Sequence, residues 1–131
     1  MEFQFSSPQP PDGRPVLMIT GATSGIGEAT ARLAATHGGF ALVVTGRRAD
    51  KLQALVDSLR DGGAAVEGLV FDVRDRSDTL AACAAIPAAW TPAVLVNNAG
   101  LAVGLSPLDA GEFEDWDRMI DTNVKGLLNV T

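Results

Sequence analysis

A glycine-rich segment directly after the first apolar run constrains the fold of this chain more than any other feature. Residues 20–27 read TGATSGIG and lead into a predicted helix over residues 26–37. Gly21 permits a sharp turn, Gly25 lets a diphosphate approach the backbone, and Gly27 lets the helix pack closely on a strand. The N-terminus of that helix adds free N–H groups and a positive dipole. We interpret the segment as a nucleotide-phosphate turn, and a tight turn that binds no ligand is the alternative.

Apolar strands and amphipathic helices alternate along the chain from residue 15. The patterns predict strands at 16–20, 40–45, 65–71 and 93–96, and helices at 26–37, around Leu52–Leu59, at 78–85 behind a Ser77 cap, and from Phe113 through Leu127. The strands show little polar alternation, which is typical of a parallel sheet covered on both faces. Right-handed crossovers then predict an α/β fold, a Rossmann-type doubly wound parallel sheet, truncated after the fourth strand and into the following helix.

Two arginines follow the second predicted strand, at the point where cofactor preference is usually decided. An NAD-binding domain of this type places an acidic residue about 20 residues after the glycines, where it binds the ribose 2′-hydroxyl. Here Arg47 and Arg48 occupy that place. A guanidinium can bind a 2′-phosphate through paired hydrogen bonds, which predicts NADP rather than NAD as the cofactor. Either arginine could dominate, and two merely solvated loop charges are the alternative.

Four motifs in a fixed order make the chain resemble the short-chain dehydrogenase/reductase family. They are the glycine turn at 20–27, Asp72-Val73 after the third strand, Asn97 to Gly100 after the fourth strand, and Asn123 in the last helix. The resemblance covers residues 15–131. The segment 97–126, together with TGRRADKL earlier, looks closest to the NADP-dependent 3-hydroxy acid branch of the family. The resemblance therefore implies an oxidoreductase that transfers hydride between NADP(H) and a hydroxy or oxo substrate.

The same resemblance implies a role for each matching residue. Cofactor binding is implied for Gly21, Thr23, Ser24, Gly25, Ile26 and Gly27 at the diphosphate, Arg47 and Arg48 at the 2′-phosphate, Asp72 and Val73 at the adenine, and Asn98, Ala99 and Gly100 beside the adenosine and the nicotinamide ribose. A strand-end cap is the alternative for Asp72. For Asn97 and Asn98 the alternative is that one or both side chains hydrogen bond the fourth strand to neighbouring backbone, which is compatible with cofactor binding.

Asn123 is the one matching residue with an implied catalytic role. In the family the corresponding Asn belongs to a catalytic tetrad and helps to hold a water that links the catalytic Lys to solvent. Asn123 lies on the apolar stripe of the last predicted helix, where we expect a buried amide that needs partners. A helical Asn satisfied by a nearby carbonyl is the alternative.

The remaining catalytic residues of the family have no counterpart in this chain. The family uses a Ser and a Tyr-x-x-x-Lys motif, but the chain has no Tyr, and its two lysines, Lys51 and Lys125, lie in other contexts. The sequence also ends within an apolar helical pattern. We expect an N-terminal fragment that is inactive alone. A non-catalytic module that binds NADP or associates with itself is the competing hypothesis.

Composition limits the partners and the location. Residues 1–14 are rich in Pro, Gly and Ser and predict a disordered lead-in, before residues 15–131 form the N-terminal part of an NADP-binding Rossmann domain. The net charge of −6 argues against nucleic acid as a partner. No apolar run is long enough to span a membrane, no export signal is present, and no metal site is expected. The single Cys83 fits a reducing, cytoplasmic location. The resemblance implies a small-molecule substrate and a homo-oligomer.

Overall fold

The computed structural model describes residues 5–131 and contains one parallel sheet with helices on both faces. The strands are β1 (Val16–Ile19), β2 (Ala41–Gly46), β3 (Val66–Val70) and β4 (Val94–Val96), and the helices are α1 (Gly25–His37), α2 (Ala49–Asp61), α3 (Arg76–Ala84), α4 (Phe113–Ile120) and α5 (Leu127–Val130). The strand order is β3-β2-β1-β4, and all pairs are parallel. This is the α/β, Rossmann-type architecture that the alternating pattern predicts, and the prediction is confirmed.

The core lies on both faces of the sheet because successive strand residues point to opposite sides. In β1, Leu17 and Ile19 pack toward the helices α1 and α2, where the apolar side of α2 from Leu52 to Leu59 is buried. Val16 and Met18 pack on the other face, beside the buried Trp90. Burial on both faces explains why these strands lack polar alternation.

Two predicted helical features differ from the structure. The third helix begins at Arg76, and the Asp75 side chain caps it by accepting a hydrogen bond from the Asp78 amide at 2.9 Å. Ser77 donates to the Asp75 carboxylate instead of capping the helix itself. The last helix is interrupted between α4 and α5 by a π-helical turn, Asp121–Gly126.

The N-terminal segment packs against the sheet in a way that the sequence did not predict. Residues 1–4 of the predicted disordered lead-in lie outside the described residues. Residues 5–14 differ from that prediction by making specific contacts: the Ser6 amide and hydroxyl both donate to the buried Glu67 carboxylate, at 3.0 and 2.6 Å. The Trp90 indole also donates to a backbone carbonyl of this segment. These partners satisfy a buried charge and a buried N–H group.

Candidate functional site

The candidate site is a cavity of about 370 Å³ at the carboxyl ends of the parallel strands. Ligands of doubly wound sheets bind at this end of the strands. The sequence-predicted residues that line the cavity are Gly21, Thr23, Ser24, Ile26, Arg47, Arg48, Asp72, Val73, Asn98, Ala99 and Gly100. A larger, more open hollow of about 750 Å³ lies at the opposite end, beneath the N-terminal segment, and contains none of them.

The glycine turn has the backbone conformation that its glycines predict. Gly21 and Gly25 have φ angles of +64° and +57°, which residues other than glycine rarely adopt. A Cβ at Gly21 would lie 2.8 Å from the Ala99 Cα, and one at Gly27 would overlap the Gly21 carbonyl. Gly25 and Gly27 lie outside the cavity lining; Gly27 is buried under the turn, whereas Gly25 is exposed at the start of α1. The glycines therefore shape the turn, and Gly21 lines the cavity together with Thr23, Ser24 and Ile26.

Thr20 and Asn98 lock the glycine turn to the end of β4. The Thr20 hydroxyl accepts hydrogen bonds from the amides of Asn98 and Ala99, at 3.1 and 3.0 Å. The Asn98 side chain donates back to the carbonyls of Thr20 and Gly21, at 3.0 and 3.1 Å. The lock that was the alternative for Asn98 is therefore present, while Asn97 donates to Thr131 at 3.1 Å. The sequence analysis gave Thr20 no role, although a buried Thr between a strand and a glycine turn is a signal for such a bond.

Arg47 and Arg48 lie on the outer rim of the cavity, at the end of β2. Arg48 donates to the Thr23 hydroxyl at 3.4 Å, so it lies over the glycine turn. Arg47 extends the other way, with its guanidinium 3.9 Å from the Asp72 carboxylate and its side chain 56% exposed. The two cations therefore flank the entrance from two sides, and neither is held in a buried ion pair.

Asp72 is held by Arg74, which the sequence analysis did not single out. Its carboxylate accepts from the Arg74 amide and from the guanidinium, with the shortest distance 2.6 Å. Partial burial raises the pKa of Asp72, but the hydrogen bonds from Arg74 and the charges of Arg74 and Arg47 outweigh it, so the pKa lies below its ordinary value. The strand-end cap that was the alternative for Asp72 is present, because the Asp72 carboxylate accepts from the Arg74 amide two residues later.

Asn123 lies in the π-helical turn and joins the helix to the loop after β4. Its side-chain oxygen accepts from the Leu101 amide and its side-chain nitrogen donates to the Leu101 carbonyl, both at 2.8 Å. The expectation of a buried amide is wrong, because the residue is exposed. The hydrogen bond to a nearby carbonyl is present, and the catalytic role stays a prediction.

Thr122, next to Asn123, is a further cavity residue that sequence reasoning missed. It lines the cavity from the π-helical turn and is 7% exposed. A polar residue beside an Asn in an apolar helical pattern was the available signal. Across residues 5–131, His, Cys, Asp and Glu side chains form no group of three that could hold a metal. No helix within that range is long and apolar enough to cross a membrane.

Comparison with known proteins places these residues in a family. A model of the short chain dehydrogenase family matches residues 15–131. The chain is 47% identical over 116 residues to a serine 3-dehydrogenase of Agrobacterium fabrum, covering 88% of this chain and 45% of the relative. It is 46% identical over 117 residues to the NADP-dependent 3-hydroxy acid dehydrogenase YdfG of Salmonella typhi, covering 88% and 46%. The chain thus spans about half the length of these curated relatives.

Solved structures agree with the sequence relatives. Serine dehydrogenase from Escherichia coli superposes with a TM-score of 0.81 at 42% identity, covering 88% of this chain and 52% of that one. A short chain dehydrogenase/reductase from Burkholderia phymatum in complex with NAD gives a TM-score of 0.80 at 35% identity, covering 89% and 41%. The strand order, the glycine turn, the residues after β3 and β4 and these matches lead to one conclusion: the chain belongs to the short-chain dehydrogenase family and is close to its 3-hydroxy acid dehydrogenases.

Proposed function

We propose that this chain is the NADP-binding part of an oxidoreductase that transfers hydride between NADP(H) and a 3-hydroxy acid or its oxo form. The observation that carries the proposal is the pair of exposed guanidiniums, Arg47 and Arg48, on either side of the cavity entrance at the end of β2. The name of the YdfG relatives and the likeness to serine dehydrogenases support the choice of NADP and of the substrate class. The relative that binds NAD makes the preference a matter for experiment.

Several features of the cavity support a dinucleotide with a phosphate on its ribose as its ligand. The glycine turn lacks Cβ atoms where a Cβ would meet other backbone, and the start of α1 provides N–H groups without intrahelical partners. An anionic 2′-phosphate at the end of β2 would lie between Arg47 and Arg48. Asp72, whose pKa Arg74 holds below its ordinary value, would accept from the amino group of the base, and the Val73 amide would donate to a ring nitrogen of the base. NADP, when bound, supplies the nicotinamide that accepts or donates hydride.

The 131-residue chain alone is expected to bind without catalysing. It contains no Tyr, and the resemblance implies a Tyr as the general base of this chemistry. Lys125 is exposed and forms an ion pair with Asp121 at 2.7 Å, so it does not replace the lysine of the missing motif. Hydride transfer would need a polypeptide that supplies the Ser and the Tyr-x-x-x-Lys motif. Absence of NADPH oxidation with a 3-oxo acid after such complementation would count against the proposed reaction.

Calorimetric titration with adenosine 2′,5′-bisphosphate and with ADP tests the cofactor preference directly. We expect the wild-type chain to bind the bisphosphate more tightly than ADP. Arg47→Ala and Arg48→Ala should each lower the affinity for the bisphosphate by about fivefold to tenfold. This factor is near the lower end for a charge-assisted hydrogen bond, because both arginines are exposed. Binding of ADP should stay within about twofold. Arg118→Ala, which removes an exposed arginine of α4 that does not line the cavity, is the matched control.

Two results would change the conclusion. Equal affinity of the wild-type chain for the bisphosphate and ADP would refute the role of the arginine pair. A loss in Arg118→Ala as large as in Arg47→Ala would show that net charge, and not a specific contact, determines binding.

Self-association is a second candidate property, and one observation favours it. Within residues 5–131 the strand β4 pairs only with β1, and Val94 on this strand is 43% exposed. Two large apolar side chains of α1, Ile26 and Leu33, are 79% and 73% exposed. Open strand edges and apolar patches favour association. Sedimentation at increasing dilution tests this, and a folded monomer at high concentration would exclude it.

Location and partners complete the proposal. We place the protein in the cytoplasm, because Cys83 is a single free thiol and residues 5–131 contain no disulfide. The expected partners are a small-molecule substrate and further copies of the chain, with no nucleic acid and no membrane. A fractionation experiment that recovers the protein outside the cytoplasm would contradict the location.

A further inference from the structure

The N-terminal segment, residues 5–14, is an arm that lies outside the matched family domain. The family model begins at residue 15, and β1 begins at Val16. Of the arm residues 8–13, only Pro10 is buried. The open hollow of about 750 Å³ lies between the arm and the rest of the protein, and residues of both line it. The arm is therefore loosely packed along its middle, and it contributes no strand to the sheet.

The far end of the arm is held more firmly. Ser6 donates to the Glu67 carboxylate through its amide and its hydroxyl, and the Trp90 indole donates to the Ser7 carbonyl at 2.9 Å. The Phe5 ring packs on Trp90, with the ring centroids 5.5 Å apart. Glu67 and Trp90 are buried, so their polar atoms need such partners. We call the surface formed by Glu67 and Trp90 the seat of the arm.

A strained hinge connects the arm to β1. Asp12 and Gly13 have φ angles of +58° and +61°, and across residues 5–131 Asp12 is the one residue other than glycine with a positive φ. An aspartate in this left-handed conformation carries an energetic cost that an extended hinge would remove. Beyond the hinge, Arg14 donates to the Gly38 carbonyl at 3.2 Å and anchors the chain at the end of α1. Opening of the arm therefore needs a backbone change at only two residues.

We propose that the partner of the arm is a second copy of this chain, and that two copies exchange arms so that residues 5–7 of each lie in the seat of the other. The second copy fits because the seat already binds this segment, and a two-fold exchange repeats the same contacts on both sides. The exchanged interface uses neither the β4 edge nor the apolar side chains of α1. Arm exchange is also independent of NADP binding, because the seat lies at the opposite end of the sheet from the candidate site.

Hinge strain favours the exchanged dimer, whereas the seat contacts do not change the balance. Two closed monomers and one exchanged dimer contain the same number of seated arms, so the seat contacts cancel. The hinge does not cancel, because an arm that reaches another copy is extended at Asp12 and Gly13. Three prolines within residues 8–11 stiffen the arm and reduce the entropy that it loses on binding to another copy. An arm that opens leaves Glu67 its ion pair with Arg60 at 2.8 Å.

A direct test detects the contact of Phe5 with Trp90 between copies. Isotope-labelled and unlabelled 131-residue chains are unfolded, mixed in equal amounts and refolded, and a filtered nuclear Overhauser experiment then records only contacts between a labelled and an unlabelled copy. We expect a contact between Phe5 and Trp90, whose rings are 5.5 Å apart in the seat. A dimer that shows other contacts between copies but not this one would overturn arm exchange and would locate association elsewhere, for example at β4. A chain that stays monomeric at the highest soluble concentration would overturn it as well.

Hinge variants test the cause of the exchange by sedimentation equilibrium. Gly13 and Gly63 both have a positive φ and open space around an added Cβ, so Gly63→Ala is the matched control for Gly13→Ala. Alanine strains the closed hinge by about fivefold in its equilibrium, and a dimer releases two hinges, so the dimer of Gly13→Ala should be about 25-fold tighter than that of wild type. Gly63→Ala should stay within about twofold of wild type.

The opposite change should weaken the dimer. Asp12→Gly relieves the strain of the closed hinge, and we expect its dimer to dissociate about fivefold more readily than that of wild type. This variant keeps the test decisive if Gly13→Ala does not fold. Dimer dissociation constants that are equal for wild type and the hinge variants would overturn the role of the hinge. A dimer tightened as much by Gly63→Ala as by Gly13→Ala would show that general destabilisation, and not arm exchange, drives association.

Discussion

Replacement of Thr20 by valine tests whether one hydroxyl holds the nucleotide turn in place. Thr20 is 1% exposed, and its hydroxyl accepts from the amides of Asn98 and Ala99. Valine has nearly the same shape, so the substitution leaves no cavity and isolates the hydrogen bonds. It removes the hydroxyl that accepts from both amides. The Asn98 amide keeps the Val96 carbonyl as an acceptor at 3.0 Å, so the Ala99 amide is the one that loses its acceptor.

The magnitude follows from the cost of an unsatisfied donor. Each partly buried N–H group that loses its acceptor costs about 1 kcal/mol, the lower end of the range for buried donors, because some water reaches this edge of the sheet. One such group, the Ala99 amide, predicts a loss of about 1 kcal/mol in the free energy of unfolding. For a domain of this size that corresponds to a fall of roughly 5 °C in the melting temperature.

The measurement is the free energy of unfolding in urea, compared between Thr20→Val and the control variant Thr30→Val. Thr30 undergoes the same chemical change on an exposed part of α1, where its hydroxyl donates only to the Ile26 carbonyl. We expect Thr30→Val to stay within about 0.5 kcal/mol of wild type. If Thr20→Val falls within the same range as Thr30→Val, the hydroxyl does not hold the turn and the reasoning is refuted. Binding of adenosine 2′,5′-bisphosphate should weaken with the stability, because the displaced residues line the cavity.

Three further predictions concern other parts of the site. Gly27→Ala should lose about 3 kcal/mol of stability, because its Cβ would overlap the turn backbone. Gly25→Ala has no neighbour within 4 Å of the added Cβ and should lose about 1 kcal/mol through its positive φ. Equal losses in urea unfolding would contradict the packing argument. The folded pKa of Asp72 is below its ordinary value of 3.8, so its contribution is complete above about pH 4 and is lost as the pH falls through the folded pKa. The stability difference between wild type and Arg74→Ala should therefore shrink below pH 4, and a constant difference in urea midpoints would show that Asp72 is not involved. Asn123→Ala should cost about 1 kcal/mol through two lost hydrogen bonds to the loop after β4, measured by urea unfolding, and an unchanged midpoint would mean that these bonds add nothing.

The strands, the helices and the glycine turn could be predicted from the sequence, because neighbouring residues determine them. The glycine spacing at 20–27 requires a strand before it and a helix after it, and apolar runs without polar alternation require two covered faces. The strand bounds accordingly fall within one or two residues of the prediction. Asp72 and Val73 line the cavity because the carboxyl ends of parallel strands meet at one edge, and their roles at the base stay predictions.

Features that depend on contacts between distant residues could not be predicted. Nothing near Ser6 in the sequence indicates that Glu67, 61 residues later, needs its hydrogen bonds. Asn123 lies in the π-helical turn and hydrogen bonds with the Leu101 backbone, and a periodicity of 3.6 residues cannot anticipate such a turn.

The electrostatics of the site oppose those of the whole chain, and under the proposed function this contrast would let an acidic protein bind a polyanion. The net charge of −6 repels a phosphorylated nucleotide at long range. Around the cavity, however, Arg47 and Arg48 lie at the rim and Arg74 lies against Asp72, which neutralises only one of the three cations. The excess of two positive charges at the rim would act on a bound phosphate at short range, where screening by salt is weak, whereas charges more than about 10 Å away are largely screened at physiological salt. Under the proposed function, local charge would therefore decide binding at cellular ionic strength, and the choice between a ribose with and without a 2′-phosphate would depend on the side chains at the end of β2.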